Sequence, residues 1–230
     1  MAGPVPNSFS TGKLKSKIMN LAQTSVYQVK IQPPTAVDTF LQRDRGVRYN
    51  NDGEDLELLC HETTLPGTSF ATSEVNNNYT GVSERMAYRR TFDSTIDMTF
   101  YVDKDYKIIE FFEGWVDYIS GMNISNPNGG DLRELYRSSA ATYRMNYPQT
   151  YRAPIYVTKF EKNLTDSQMT YEFVDAFPLN VISMPVSYAQ SETLKLSVSF
   201  AYTRYVRFRS DKGLLNHYGE YFTPEGPNAS

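Results

Sequence analysis

The sequence predicts a mainly β chain: an antiparallel β-sandwich or partly closed barrel, with one packed α-helix at about 105–120 and one long protruding hairpin. Three observations predict it. Several segments alternate apolar and polar residues with period 2, as a strand with one buried face must. Aromatic residues make up 14% of the 230 positions, chiefly 18 Tyr and 13 Phe, and such side chains favour strands and interfaces. A single segment, around Trp115, instead places apolar residues at helical spacing. Six or seven strands and one helix are expected, the inventory of a sheet with a helix laid on it.

Residues 1–24 are polar, end in KLKSK, and read as an N-terminal arm. VYQVKI at 26–31 alternates and is stopped by Pro33 and Pro34. The stretch 35–55, with RDRGVRYNNDGED inside it, reads as a loop or insertion whose mixed charges form a solvated face. LELLCH at 56–61 is a second strand, ending at TTLPG. Residues 68–88, TSFATSEVNNNYTGVSERMAY, are β-prone at both ends and carry Asn76, Asn77 and Asn78 near the centre, where Asn tolerates the left-handed backbone of a turn. This is the long hairpin, and an arm that buries little within its own subunit needs a partner.

TFDSTIDMTFYV at 91–102 alternates Ile96, Met98, Phe100 and Val102 with Asp97, Thr99 and Tyr101. In DKDYKIIEFFEGWVDYISG, residues Ile108, Ile109, Phe112, Trp115, Val116 and Ile119 build one helical stripe, with Asp103 or Asp105 to cap its start and Gly121 to end it. Ile108, Phe112, Trp115, Val116 and Ile119 are read as core, Trp115 at the centre. Residues 122–153 read as a second insertion, irregular apart from a short helix at DLRELYRSSA. IYVTKF at 155–160 and MTYEFVDAF at 169–177 are strands joined by the polar turn EKNLTDSQ. PLNVISMPVSY then leads into TLKLSVSFAYTRY at 193–205. Here Leu194, Leu196, Val198, Phe200 and Tyr202 line one face, and Lys195, Ser197, Ser199, Ala201 and Thr203 the other. The organisation is thus a β domain over 25–205, insertions at 35–55 and 122–153, and a C-terminal extension over 206–230.

The chemistry-bearing residues are sparse. Net charge is −3, from 23 basic and 26 acidic residues, which is no electrostatic grip on nucleic acid. Cys60 is the sole cysteine, so no internal disulfide forms. The start MAGPVPNSFSTGKLKSK has no apolar signal-type segment, and no run of 18 apolar residues spans a membrane. The sequons at Asn78, Asn123, Asn163 and Asn228 are read as chance matches in an Asn- and Ser-rich chain. GxSxG, GxxxxGK[ST], GxGxxG and HExxH are all absent, and the two histidines, His61 and His217, lie far apart. Cys60 and His61 are adjacent on a strand and point to opposite faces, so they make no metal pair. Asp103/Asp105 and Glu110/Glu113 serve a helix cap and a solvated helix face, and Arg89–Arg90 enter a strand as surface ion-pair formers. No catalytic residue, metal or cofactor is assigned, and a structural or binding role is favoured over an enzyme. A non-tube β-rich virion component and a carbohydrate-binding module remain open from the residues alone.

Three blocks in order carry a family resemblance. They are LELLCH with TTLPG before a long hairpin, then RTFDSTIDMTFYVDKDYKIIEFFEGWVDYISG, then FVDAFPLNVISMPVSYAQSETLKLSVSFAYTRY. Over roughly residues 20–205 this resembles the tail tube protein family of contractile-tailed bacteriophages, with the baseplate proteins that initiate the tube included. The resemblance implies a subunit of hexameric rings that stack into a tube, bounded by sheath and baseplate hub proteins. DNA would pass through without specific binding, in a virion tail assembled in the host cytoplasm. It implies that Asp97, Thr99, Lys195, Ser197, Ser199 and Thr203 face the lumen. It also implies that the hairpin, with Phe70, Asn76, Asn77, Asn78 and Tyr79, reaches the adjacent ring. A tube of a phage-derived injection machine, type VI-like or pyocin-like, fits the same residues.

Overall fold

A computed structural model describes residues 21–47, 57, 59–77, 79–121, 144–160, 168–188 and 192–210. The chain forms two compact units, one of residues 1–27, 159–169 and 209–230, the other of residues 28–158 and 170–208. In the first, Phe160 N–H donates to the Val26 carbonyl at 3.1 Å, and Lys159 Nζ donates to the Ser25 carbonyl at 3.0 Å. The second holds the candidate surfaces described below. Residues 1–20 of the expected arm, 48–55 and 122–143 of the expected insertions, the expected helix at DLRELYRSSA, and 211–230 of the expected extension lie outside the described residues.

Nine strands are described: β1 (Tyr27–Ile31), β2 (Cys60–Thr63), β3 (Thr68–Asn77), β4 (Val82–Phe92), β5 (Thr95–Tyr101), β6 (Ala153–Lys159), β7 (Gln168–Val181), β8 (Lys195–Ala201) and β9 (Arg204–Ser210). Seven form one open sheet in the order β1-β6-β7-β8-β5-β2, with β9 also paired to β7. β3 and β4 pair only with each other. The antiparallel β fold expected from the period-2 segments is therefore present, with an open sheet and more strands than the six or seven expected.

Three boundaries differ from expectation, each for a physical reason. The second strand starts at Cys60, not residue 56, and Glu57 is buried with its carboxylate accepting the Ile31 N–H at 3.2 Å. β7 continues through Pro178 to Val181 because its far end pairs with β8. The extension expected from residue 206 begins inside β9, so residues 204–210 belong to the sheet.

The stretch expected as a loop from residue 35 opens instead with α1 (Thr35–Phe40), which runs into a wider π-helical turn, Leu41–Arg45. Val37, Phe40 and Leu41 recur at helical spacing and are buried, while Arg43 is exposed and Asp38, Asp44 and Arg45 are half-buried. A short α3 (Pro148–Tyr151) sits in the described part of the second insertion.

α2 (Lys107–Ile119) is the expected helix. Asp103 Oδ1 accepts the Lys107 N–H at 3.1 Å and satisfies one of its orphan donors. At the other end Gly121 has φ +82°, and any Cβ there would strike the Arg144 carbonyl oxygen. Gly114 lets the π-helical turn approach: an added Cβ would meet Leu41 Cδ2 at 2.5 Å. Arg45, on the same turn, pairs with Asp117 and lies 3.5 Å from Glu110.

The buried stripe of α2 is Ile108, Phe111, Phe112, Trp115 and Tyr118, with Ile119 half-buried. Val116, expected in the core, is 37% exposed, because one residue past Trp115 rotates about 100° away from the stripe. Phe112 lies 5.0 Å from Phe100 of β5 and 5.7 Å from Phe200 of β8, ring centre to ring centre. Trp115 Nε1 donates to the Tyr151 carbonyl at 3.0 Å, so the indole is buried without an orphan donor. Trp115→Ala is expected to cost about 3–5 kcal/mol, whereas Val116→Ala shifts stability by less than about 1 kcal/mol. Urea denaturation of the two variants measures this directly, and similar losses would contradict the burial pattern.

Candidate functional site

β8 lies between β7 and β5, and its alternation separates two faces. Leu196, Val198 and Phe200 are fully buried with Ile96, Met98 and Phe100 of β5. Register places the remaining residues in rows on the opposite face: Tyr101 with Lys195, Thr99 with Ser197, Asp97 with Ser199 and Thr95 with Ala201. β2 adds Glu62 opposite Thr99, and β7 adds Asn180 opposite Ser199.

The polar groups on this face largely satisfy one another. Thr99 Oγ1 and Ser197 Oγ are 3.0 Å apart, and the Ser199 hydroxyl donates to Asp97 Oδ1. Lys195 Nζ lies 3.0 Å from His61 Nε2 and 5.4 Å from the centre of the Tyr101 ring. The His61 ring in turn packs 4.5 Å from Tyr101. His61 reaches this position because β2 bulges between Cys60 and Glu62. Lys195 has no carboxylate partner among the described residues; the His61 ring and an aromatic face hold it instead.

The structure thus brings Asp97, Thr99, Lys195, Ser197 and Ser199 together on one surface. Thr203 lies beyond the end of β8, at a bend before β9. The Tyr202 N–H continues the β5–β8 ladder to the Ser94 carbonyl at 3.2 Å, and the Thr203 N–H donates to the Val174 carbonyl of β7 at 3.1 Å. His61, Tyr101, Glu62 and Asn180 complete the surface but were not on the expected list. Of these only Tyr101 carried a signal, as the next alternating residue after Asp97 and Thr99.

The hairpin is the second candidate. β3 and β4 pair from Thr68↔Phe92 to Asn77↔Val82, with a bulge at Tyr88. Phe70 is 62% exposed, and Val75, Tyr79, Val82, Met86 and Tyr88 are exposed as well. Asn76 pairs with Ser83 and is exposed, Asn77 pairs with Val82 through its backbone, and Asn78 lies outside the described residues.

Other features are modest. A cavity of about 290 Å³ is lined by Thr35, Ala36, Thr39, Phe40, Arg43 and Tyr118. Its one charged group, Arg43, is bound by Asp44 at 2.8 Å, a hydrogen bond and charge that hold the guanidinium above its ordinary range. Among the described residues no cluster of three or more His, Cys, Asp or Glu could hold a metal, and no helix is long and apolar enough to cross a membrane.

The model of the phage tail tube protein family matches residues 22–208, more than half of the sequence. The chain belongs to that family. It is accordingly a structural tube protein by kinship, and the matched span holds every strand of the sheet at least in part. No curated protein matches the sequence. Similar solved structures share low identity with this chain. The sheath-tube complex of an extracellular contractile injection system, PVC, shares 12% identity at TM-score 0.45, over 87% of this chain and 99% of that one. The tube-terminating cap of the anti-feeding prophage shares 12% identity at TM-score 0.45, over 83% and 92%. An Hcp protein crystal structure shares 15% identity at TM-score 0.36, over 80% and 98%.

One side chain at the corner gives a pH signature. The Tyr202 ring packs 4.9 Å from Phe173, and its buried hydroxyl has no hydrogen-bond partner among the described residues. Burial, then the Asp93 charge and Tyr205, pushes its phenol up from 10.0 to about 12. The unfolded chain therefore loses this proton first, and the folded state is progressively disfavoured as pH rises between those two values. Tyr202→Phe should flatten the decline of urea stability between about pH 9 and about pH 12. Parallel profiles for wild type and variant would refute this.

Proposed function

We propose that the chain is a hexamer-forming ring subunit of a phage tail tube, either of the main tube or of its baseplate-proximal start, and that the β5–β8 polar face lines the channel. The observation that carries the reading is the mutual satisfaction of that face. Thr99 with Ser197, and Asp97 with Ser199, occupy each other's hydrogen-bonding groups, and Lys195 is engaged by His61 and Tyr101. A conduit for DNA should offer few free donors or cations, because each Lys or Arg contact with phosphate adds affinity and therefore drag. Short hydroxyl side chains backed by an Asp meet that demand.

The tail-tube domain of residues 25–205, extended by β9, forms the ring body in this reading. The hairpin reaches the adjacent ring, and its exposed Phe70 and Tyr79 supply apolar contact area there. Sheath and baseplate hub proteins are the outer and lower partners, and the assembly is a virion tail built in the host cytoplasm. DNA passes through during ejection without specific binding.

Negative-stain electron microscopy of the purified protein across a concentration series tests the reading, with rings or hollow tubes of uniform width as the expected result. Assembly only on addition of baseplate proteins would identify the tube start, and monomers that never assemble with those partners would overturn the proposal. In the same preparation, tubes carrying Ser197→Arg and Ser199→Arg should retain double-stranded DNA at low salt and release it as salt rises, unlike wild type. Variant tubes that assemble yet gain no DNA retention would remove this face from the channel.

A further inference from the structure

We infer that Arg90 is a positioning residue that latches the root of the hairpin to β9, so that the direction of the hairpin is coupled to the state of the C-terminal strand. The first rungs of the hairpin are heavily cross-braced. Asp93 Oδ2 accepts the Gly67 N–H at 3.1 Å, and the hydroxyls of Ser69 and Thr91 are 2.6 Å apart. These braces join β3 to β4 or to the residue that follows it and do not themselves reach the sheet. Arg90 makes the polar connection, beside the ring contact of Phe92 with Tyr205. Its Nε donates to Thr68 Oγ1 at 2.9 Å, and its Nη2 donates to the Tyr205 hydroxyl of β9 at 3.3 Å.

The guanidinium also stacks against both neighbouring rings. Its central carbon is 4.6 Å from the Phe92 ring centre and 5.6 Å from that of Tyr205, and the two rings meet edge to face at 5.4 Å. Tyr205 passes the contact onward, 6.0 Å from Tyr171 of β7. A planar fork can donate in two directions while its face lies on an aromatic ring; an ammonium cannot. The geometry therefore uses what distinguishes Arg from Lys. Beyond the root the hairpin has exposed residues on both faces, so a small change of angle at Arg90 is multiplied along the length of the arm.

Hydrogen–deuterium exchange on the free full chain tests the latch without reference to assembly. In Arg90→Ala, amides of residues 68–71 and of 204–208 should both exchange faster, roughly three- to fivefold. Arg90→Lys should do the same, because retaining charge does not retain the fork. Thr91→Val, which removes the Ser69–Thr91 brace and touches nothing on β9, should speed exchange in the hairpin root alone. Unchanged exchange at 204–208 in Arg90→Ala, or rescue by Arg90→Lys, would overturn the latch. The consequence for ring stacking rests on the tube reading: with the latch established, Arg90→Ala should slow tube growth, and normal growth would count against the hairpin contact rather than the latch.

Discussion

The contact of Phe112 with Phe100 and Phe200 is the constraint on which the rest depends. It presses one helix against the two strands that carry the candidate surface. Side chains on a strand alternate, so burying Phe100 and Phe200 assigns every other residue of β5 and β8 to the opposite side. A slip of one residue in either strand would bury Asp97 or Ser199 and expose the Phe of that strand, Phe100 or Phe200. The apolar contact thus sets the chemistry of a surface it never touches. Gly114 and Gly121 serve the same contact, the first by admitting the π-helical turn beside α2, the second by ending α2 against Arg144.

The polar surface is then a matter of accounting for hydrogen bonds. Hydroxyls in facing pairs cost little to leave at a surface, and paired with each other they present less to a passing polymer. Lys195 is the residue that a reading of β8 alone cannot place. It becomes intelligible only with β2 alongside β5 and a bulge that lifts His61 toward it. The ammonium is engaged by the His61 ring and the Tyr101 face, so its position on the surface is fixed.

Period 2 and period 3.6 made β5, β8 and α2 legible in the sequence, because in each the core side chains are large and regularly spaced. α1 was hidden by the charge-rich stretch that follows it, although Val37, Phe40 and Leu41 carried the helical spacing. β9 was hidden for a similar reason: Val206 and Phe208 alternate with Arg207 and Arg209, but both apolar residues are exposed, as in a tail. The bend at Thr203 that separates β8 from β9 was hidden because the period-2 spacing continues across it. The Val116 error came from widening the apolar stripe by one position. What no local pattern could reveal were the partners across strands: His61 for Lys195, and Tyr205 for Arg90. These depend on topology, and the sequence separations involved are large.

The edge of the sheet at β2 has one more implication. A free edge is a template for indiscriminate pairing and so for aggregation. β2 is only 4 residues long and is interrupted by the bulge at His61. Few consecutive backbone groups are left in register for a stray strand to capture. The bulge that brings a histidine to Lys195 therefore also shortens the run of backbone groups open to pairing along β2.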